Sequence, residues 1–322
     1  MLKPFVRDVA FPFAWLLFRS LRATRDDINT REIKLYVDGV AGIVLDIITD
    51  MHVGGFHKNL NSILVTSQKK AQEIVLSSPR ICLDLGDRLT LGGGKHGPTQ
   101  ISHLESLAEY FASLADSSEG WKIWWVHGNH DRRISGKITP GELSFLEKST
   151  ADMWFQQIIQ PLDFPQYRIR LQGMPCYNTQ KNLYNEKSVW ELIWNINQHS
   201  GVNIVMVHNP DGVRRIEAIK TQLWLHISVP TLFLCGHTHG LLGFQHVPVL
   251  GLGARKCISM ERDTQYVAGY YPAKNNESYG IFVSRGMGDQ AGIFRIPWGE
   301  RERPILRFAE KREDADIVLG GR

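Results

Sequence analysis

Five apolar runs of strand length each stop abruptly in residues that can hold a metal or move a proton. Trp121 to Val126 runs into Gly128-Asn129-His130-Asp131, and Val44 to Thr49 into Asp50-Met51-His52. Ile81 to Leu85 leads to Gly86-Asp87, Asn203 to Val207 to His208, and Thr231 to Cys235 to Gly236-His237-Thr238-His239. Any one of these ends would pass for a polar turn, since Gly, Asn and Asp are common turn formers. In an open α/β sheet, however, the carboxyl ends of the strands line the crevice where ligands bind. Five strands then deliver three carboxylates, one amide and five imidazoles to a single edge.

The segments between these runs have the periodicity of crossover helices. Leu60, Ile63, Leu64, Ser67, Ala71, Ile74 and Val75 recur at helical spacing, as do Ile101, Leu104, Leu107, Ala108, Phe111, Leu114 and Ala115. Strand, helix, strand with parallel ends is a βαβ unit, so the chain reads as α/β. Arg31 to Val37 reads as an edge strand. The long interval from Asp131 to His208 predicts a helix over 141–160, a strand from Tyr167 to Leu171 and a helix from Val189 to His199. Its aromatic residues, Phe145, Trp154, Phe155, Phe164, Tyr167, Tyr177, Tyr184, Trp190 and Trp194, fit either ordinary core packing or an apolar lid. Asp211 stands where it would cap a helix running through Val213, Ile216, Ile219 and Leu223.

Composition narrows the class without choosing a function. A chain of 322 residues with 43% hydrophobic and 22% charged residues can bury a substantial core. Its formal net charge of +4 mildly favours anionic partners. Cys82, Cys176, Cys235 and Cys257 are widely spaced and read as reduced core residues of a cytoplasmic protein. Gly92-Gly93-Gly94 lacks the spacing of a phosphate-binding loop and reads as a linker. His103 and His127 read as packed or surface histidines. Phe11 to Phe18, flanked by Lys3, Arg7, Arg19, Arg22 and Arg25, suits peripheral contact with the inner face of a membrane, or packing on the domain or a second subunit. The division expected is an apolar, basic segment at 1–30, one domain at 31–310 and a charged, solvated tail at 311–322.

Taken in order, Asp50-Met51-His52, Gly86-Asp87, Gly128-Asn129-His130-Asp131, His208 and Gly236-His237-Thr238-His239 resemble the motifs of the calcineurin-like metallophosphoesterase superfamily. The resemblance spans about residues 40–310. Thr90 stands where the second motif usually ends in Asp or Asn. His208-Asn209-Pro210-Asp211 and Val283-Ser284-Arg285-Gly286-Met287-Gly288 are similar to elements of a bacterial cell-envelope subgroup that includes UDP-2,3-diacylglucosamine pyrophosphatases, although Leu241 and Leu242 depart from that subgroup's pattern. The resemblance implies a four-layer α/β/β/α sandwich with mixed sheets and a metal site at the strand carboxyl ends. It implies a phosphohydrolase acting on a phosphodiester, phosphomonoester or pyrophosphate, lipid-linked or nucleotide-linked, by a metal-bridged hydroxide.

By the same resemblance Asp87 bridges two divalent ions. Asp50, His52 and His239 complete one, and Asn129, His208 and His237 complete the other. Manganese is the first choice, with iron, cobalt or zinc as alternatives, because the donors are nitrogen and oxygen without thiolate. His130 would protonate the leaving group, oriented by Asp131. Two other readings stay open: a nucleic-acid phosphodiesterase, disfavoured because no stripe of Lys and Arg interleaved with aromatics emerges, and a non-catalytic scaffold, disfavoured because every expected ligand is present. The sequence leaves the oligomeric state open.

Overall fold

A strand buried on both faces reads as a near-continuous apolar run, and the site-bearing strands are of this kind. β2 (Val44–Ile48), β8 (Val202–Met206) and β9 (Thr231–Cys235) are buried at every position. The computed structural model describes residues 28–51, 60–75, 79–87, 123–129, 155–157, 161–178, 180–238, 266, 268–273, 277–287 and 302–320. Within them lie two mixed sheets.

The first sheet has seven strands. β1 (Asn29–Tyr36), β2, β3 (Arg80–Asp84), β4 (Ile123–Trp125), β5 (Phe155–Gln157), β12 (Glu302–Phe308) and β13 (Ile317–Val318) lie in the order β13-β1-β12-β2-β3-β4-β5. β2 to β5 run parallel to one another, and only the β12–β2 pair is antiparallel. The second sheet, of six strands, adds β6 (Leu162–Phe164), β7 (Ile169–Gly173), β10 (Gly269–Pro272) and β11 (Tyr279–Val283) in the order β10-β11-β9-β8-β7-β6. Its four central strands are parallel.

Alternation along each strand sorts the layers, because successive side chains point to opposite faces. Leu45, Ile47 and Leu83 of the first sheet share one core with Ile204, Met206, Leu232 and Leu234 of the second, so the sheets pack face to face. The intervening positions Val205, Val207 and Phe233 face outward onto α2 (Glu186–Asn197) and α3 (Pro210–Gln222), through Val189, Ile193, Val213 and Ile216. On the other outer face, α1 (Leu60–Val75) sets Ala71 against Val44 and Ile305. The result is the α/β/β/α sandwich.

Several expectations are corrected. Residues 155–157, placed in a helix, form β5, which extends the parallel sheet beside β4; residues 141–154 lie outside the described set. β1 is not an edge strand, because β13 pairs with Leu35 and Tyr36. The charged tail is not left in solvent: Ile317 and Leu319 join the inter-sheet core while Lys311 to Asp314 stay exposed. Tyr167 belongs to a short 3-10 turn, and the strand starts at Ile169. The cap of α3 is Asn209, whose side chain accepts from the Asp211 amide. Its carboxamide thus satisfies an otherwise orphaned N–H at the helix start.

The aromatic interval divides. Phe164 meets Trp124 edge-on with ring centroids 6.0 Å apart, and Tyr184 is buried, which is core packing. Trp190 and Trp194 stack on the outer side of α2 and stay about half exposed. Cys82, Cys176 and Cys235 are free thiols in the interior, and Cys257 lies outside the described residues. His127 packs edge-on against Trp125. Residues 11–18, Gly92 to Gly94, His103 and the predicted helix over 101–115 also lie outside the described residues. Among those described, no helix is long and apolar enough to cross a membrane.

Candidate metal centre

Three strand-end residues take a backbone conformation that side chains other than glycine avoid. Asp50 after β2, Asp87 after β3 and His237 after β9 have φ of 51°, 55° and 70°. Left-handed conformations of this kind cost on the order of 1–3 kcal/mol each and persist only where the surroundings enforce them. The surroundings here are specific. The Asp50 amide donates to the Gly86 carbonyl at 2.9 Å, and the Gly236 amide to the His208 carbonyl at 2.9 Å. Asp50 Oδ2 accepts from the Thr49 hydroxyl at 2.6 Å and from the His237 amide at 2.9 Å. The strand ends of the two sheets are thereby sewn together through Asp50.

Two glycines let these turns approach so closely. A Cβ on Gly128 would collide with the backbone and carboxylate of Asp87, and one on Gly286 would come within 2.7 Å of Asp50 Cβ. The second, after β11, lies in the Val-Ser-Arg-Gly element, so that element backs the first aspartate of the site.

Asp87, His208 and His237 are buried, and their ligand atoms all lie within 4.8 Å of one another. His208 is oriented from behind, its Nδ1–H donating to the Leu85 carbonyl at 2.8 Å. A histidine that binds metal through one nitrogen is commonly held by a hydrogen bond from the other. His208 Nε2 faces Asp87 Oδ2 at 3.3 Å and Asn129 Oδ1 at 3.1 Å. A ring nitrogen, a carboxylate oxygen and an amide oxygen all present lone pairs to one point, so the geometry demands a proton or a cation there. A mixed N/O set of this kind fits a divalent transition ion, and it lacks the thiolate of a structural zinc site.

The electrostatics agree with that fit. Burial pushes the Asp50 carboxyl up to about 7; the His208 charge opposes that rise, and the Asp87 carboxylate adds to it. Burial alone would depress the His208 imidazole, but Asp87 and Asp50 outweigh it and raise its pKa well above the usual value. The cluster therefore gathers negative charge out of water and retains protons to offset it. A divalent ion meets the same need.

Of the residues expected from the sequence, the structure brings Asp50, Asp87, Asn129, His208 and His237 together. His52, His130, Asp131, His239 and Thr90 lie outside the described residues. One neighbour was not anticipated: Asn178, in the turn after β7, approaches His237 Nε2 with its Nδ2 at 3.2 Å. β7 is parallel to β8 and β9, so the strand-end rule that marks the five motifs also marks the turn holding Asn178.

The calcineurin-like phosphoesterase family model matches residues 43–241, more than half of the chain. No curated protein sequence matches it. Among solved structures, the NAD nucleotidase NadN of Haemophilus influenzae aligns at 14% identity and a TM-score of 0.40, covering 76% of this chain and 45% of that one. A 5'-nucleotidase from Candida albicans aligns at 10% identity and a TM-score of 0.37, over 76% and 46%. A serine/threonine phosphatase from Saccharomyces cerevisiae aligns at 10% identity and a TM-score of 0.30, over 88% and 77%. The chain spans about half the length of the two nucleotidases.

Proposed function

Since the chain belongs to the calcineurin-like phosphoesterase family, we propose that it is a dinuclear metal-dependent phosphohydrolase working at the strand-end cluster. The observation that carries this reading is the convergence of Asp87, Asn129 and His208 on one point, with His237 and Asp50 beside it. In this assignment Asp87 would serve both ions, Asp50, His52 and His239 would hold one, and Asn129, His208 and His237 would hold the other. When bound, such ions polarise phosphoryl oxygens and make water a nucleophile near neutral pH. Manganese is the first choice.

The protein's own groups supply orientation and proton handling. Leu85 fixes the His208 tautomer through its carbonyl. Thr49 and the His237 amide engage Asp50 Oδ2, which fixes the direction of that carboxylate. His130 donates a proton to the departing oxygen and Asp131 orients the imidazole.

For the substrate, the reading favoured is a pyrophosphate or diester with a nucleotide and a lipid portion, of the UDP-diacylglucosamine type. It is supported by the His208-Asn209-Pro210-Asp211 and Val283 to Gly288 elements. Both also serve the site itself, since Asn209 caps α3 and Gly286 backs Asp50. Their presence therefore speaks more strongly for the chemistry than for the lipid.

The test is hydrolysis of bis-p-nitrophenyl phosphate and p-nitrophenyl phosphate by metal-stripped protein titrated with Mn. Mn-dependent turnover is expected, abolished by Asp87→Asn, and lowered about 10²- to 10⁴-fold by His130→Ala with metal retained. Two bound metals without turnover of either ester, or of a UDP-linked glycolipid, would leave a scaffold of the same fold. Undiminished turnover in His130→Ala would remove that residue from the proton transfer.

A further inference from the structure

The outer helical layer over the second sheet carries three tryptophans that the fold does not bury. Trp190 and Trp194, one turn apart on α2, are 46% and 54% exposed and stack with ring centroids 5.4 Å apart and planes 14° from parallel. Trp224, just past the end of α3, is 94% exposed. Its backbone is unusual as well. The Trp224 amide donates to the Thr221 carbonyl at 3.2 Å and the Leu225 amide to the Lys220 carbonyl at 2.9 Å. That pair of bonds is the Schellman turn, whose left-handed position glycine or asparagine usually fills. Trp224 holds that position with φ of 55°. Leu223 and Leu225 on either side of it pack on the core, and the indole between them is given to solvent. The chain thus accepts a strained backbone at a residue whose large ring adds nothing to the interior.

The three indoles lie on one surface, because the segment after α3 runs beside α2. At one end Gln222 Nε2 donates to Glu186 Oε1 at 3.2 Å. At the other, Asn197 Nδ2 donates to the His226 carbonyl at 2.7 Å, and Asn197 Oδ1 accepts from the Ser228 amide at 3.1 Å. Glu186, Trp190, Trp194 and Asn197 follow one another at intervals of three or four residues, which is one helix face. Trp224 is therefore bracketed by the same two ends as the stacked pair. The exposed charges of the two helices and of the turn before α2 are Lys181, Lys187, Arg214 and Arg215 against Glu186 and Glu191, an excess of cations.

We propose that the surface formed by Trp190, Trp194 and Trp224 docks on an anionic lipid bilayer, with the indoles entering the headgroup region. An indole has an apolar body and a polar N–H, and Trp is enriched at the boundary between membrane and water for that reason. A ring that projects almost wholly from a turn suits a deformable apolar medium. The excess of Lys and Arg suits acidic headgroups, which attract basic residues near the surface. This surface lies on α2 and α3, outside the metal centre, and the proposal stands or falls independently of the phosphohydrolase reading.

Co-sedimentation of the full chain with vesicles tests it, using phosphatidylcholine alone and phosphatidylcholine mixed with phosphatidylglycerol. The variants are Trp224→Gly, the pair Trp190→Gln and Trp194→Gln, and all three together. Trp224→Gly removes the indole and supplies the residue that the turn favours, so its melting temperature should not fall and a lost fold cannot explain lost binding. The wild type should bind the phosphatidylglycerol vesicles, and bind phosphatidylcholine alone more weakly. Trp224→Gly should weaken binding about tenfold, near the lower end of what burying one large apolar side chain is worth. The triple variant should not sediment with vesicles. Brominated lipid should quench the indole fluorescence of the wild type, and quench the triple variant far less. Binding that is unchanged in every variant would place the anchor elsewhere, Phe11 to Phe18 included, and overturn the proposal. A wild type that binds neither vesicle would overturn it as well and leave the surface to a protein, a second copy of this chain included.

Discussion

Asp46 and Asp50 lie on and just past the same strand, are equally inaccessible to water, and are treated in opposite ways. Asp46 faces the fully buried Arg303, which donates through Nε to Oδ1 at 2.9 Å and through Nη2 to Oδ2 at 2.6 Å, and it also pairs with Arg80. Burial alone would raise its carboxyl, but the two guanidiniums outweigh that and hold it below the usual range. The charges that act on Asp50 are an imidazole and a second carboxylate, and its pKa moves up. One carboxylate is neutralised by cations encoded in the chain. In the proposed function the other would be completed by an external ion, with backbone strain and close glycines as the cost of that placement. A buried acid thus reveals its purpose by whether its counter-charge is a guanidinium of the fold.

The comparison can be broken at either end. The largest effect on stability is expected from Arg303→Met, which leaves Asp46 buried without its bidentate partner; chemical denaturation should show a loss of about 3–5 kcal/mol, and Mn stoichiometry in the folded fraction should not change. A stable variant would mean that Arg80 alone suffices for Asp46. Next, Mn at about a hundred times its dissociation constant should raise the stability of the wild type by about 2.7 kcal/mol, read as a thermal shift. In Asp87→Asn that shift should vanish, while the metal-free variant unfolds at or near the wild-type temperature. A fall comparable to that of Arg303→Met would show that Asp87 serves the fold. The smallest effect is in acid. Because the folded pKa of Asp46 is depressed, its contribution is complete above an unfolded value of about 3.9 and disappears as pH falls through the folded value, at up to about 1.4 kcal/mol per pH unit. Metal-free Arg303→Met should lack that component of the acid transition, and an identical acid limb in both proteins would contradict the assignment.

What could be read from the sequence follows the same division. The strands of the site were legible because both faces are buried and their ends carry unusual chemistry. β12 was not, although it sits between β1 and β2. Glu302, Arg303 and Pro304 are residue types seldom found in a buried strand, yet all three are buried. Arg303 is tolerated there only because Asp46 answers it, and that pairing cannot be seen in one dimension. Pro304 is tolerated because the antiparallel register with β2 begins only at Ile305, sparing it a bond its missing N–H could not make. β13 was hidden for a related reason, since the charges at 311–314 mask a short apolar stretch that adds to the sheet. β5 was lost to its neighbours, because three residues carry too little pattern to separate a strand from a helix. Asn178 escaped notice because a lone Asn after Tyr is an ordinary turn residue.

The Asp46–Arg303 pair spans 257 positions of sequence. It binds the strand that precedes Asp50 to a segment that the ribosome delivers far later. During synthesis β2 can find β3 within a few dozen residues, but its other edge stays open until β12 emerges. An open edge strand that carries a charged residue is a poor template for sticking to another chain, since charges on an edge strand discourage strand addition. The acid that anchors the finished fold therefore also shields its unfinished edge while the chain is still growing.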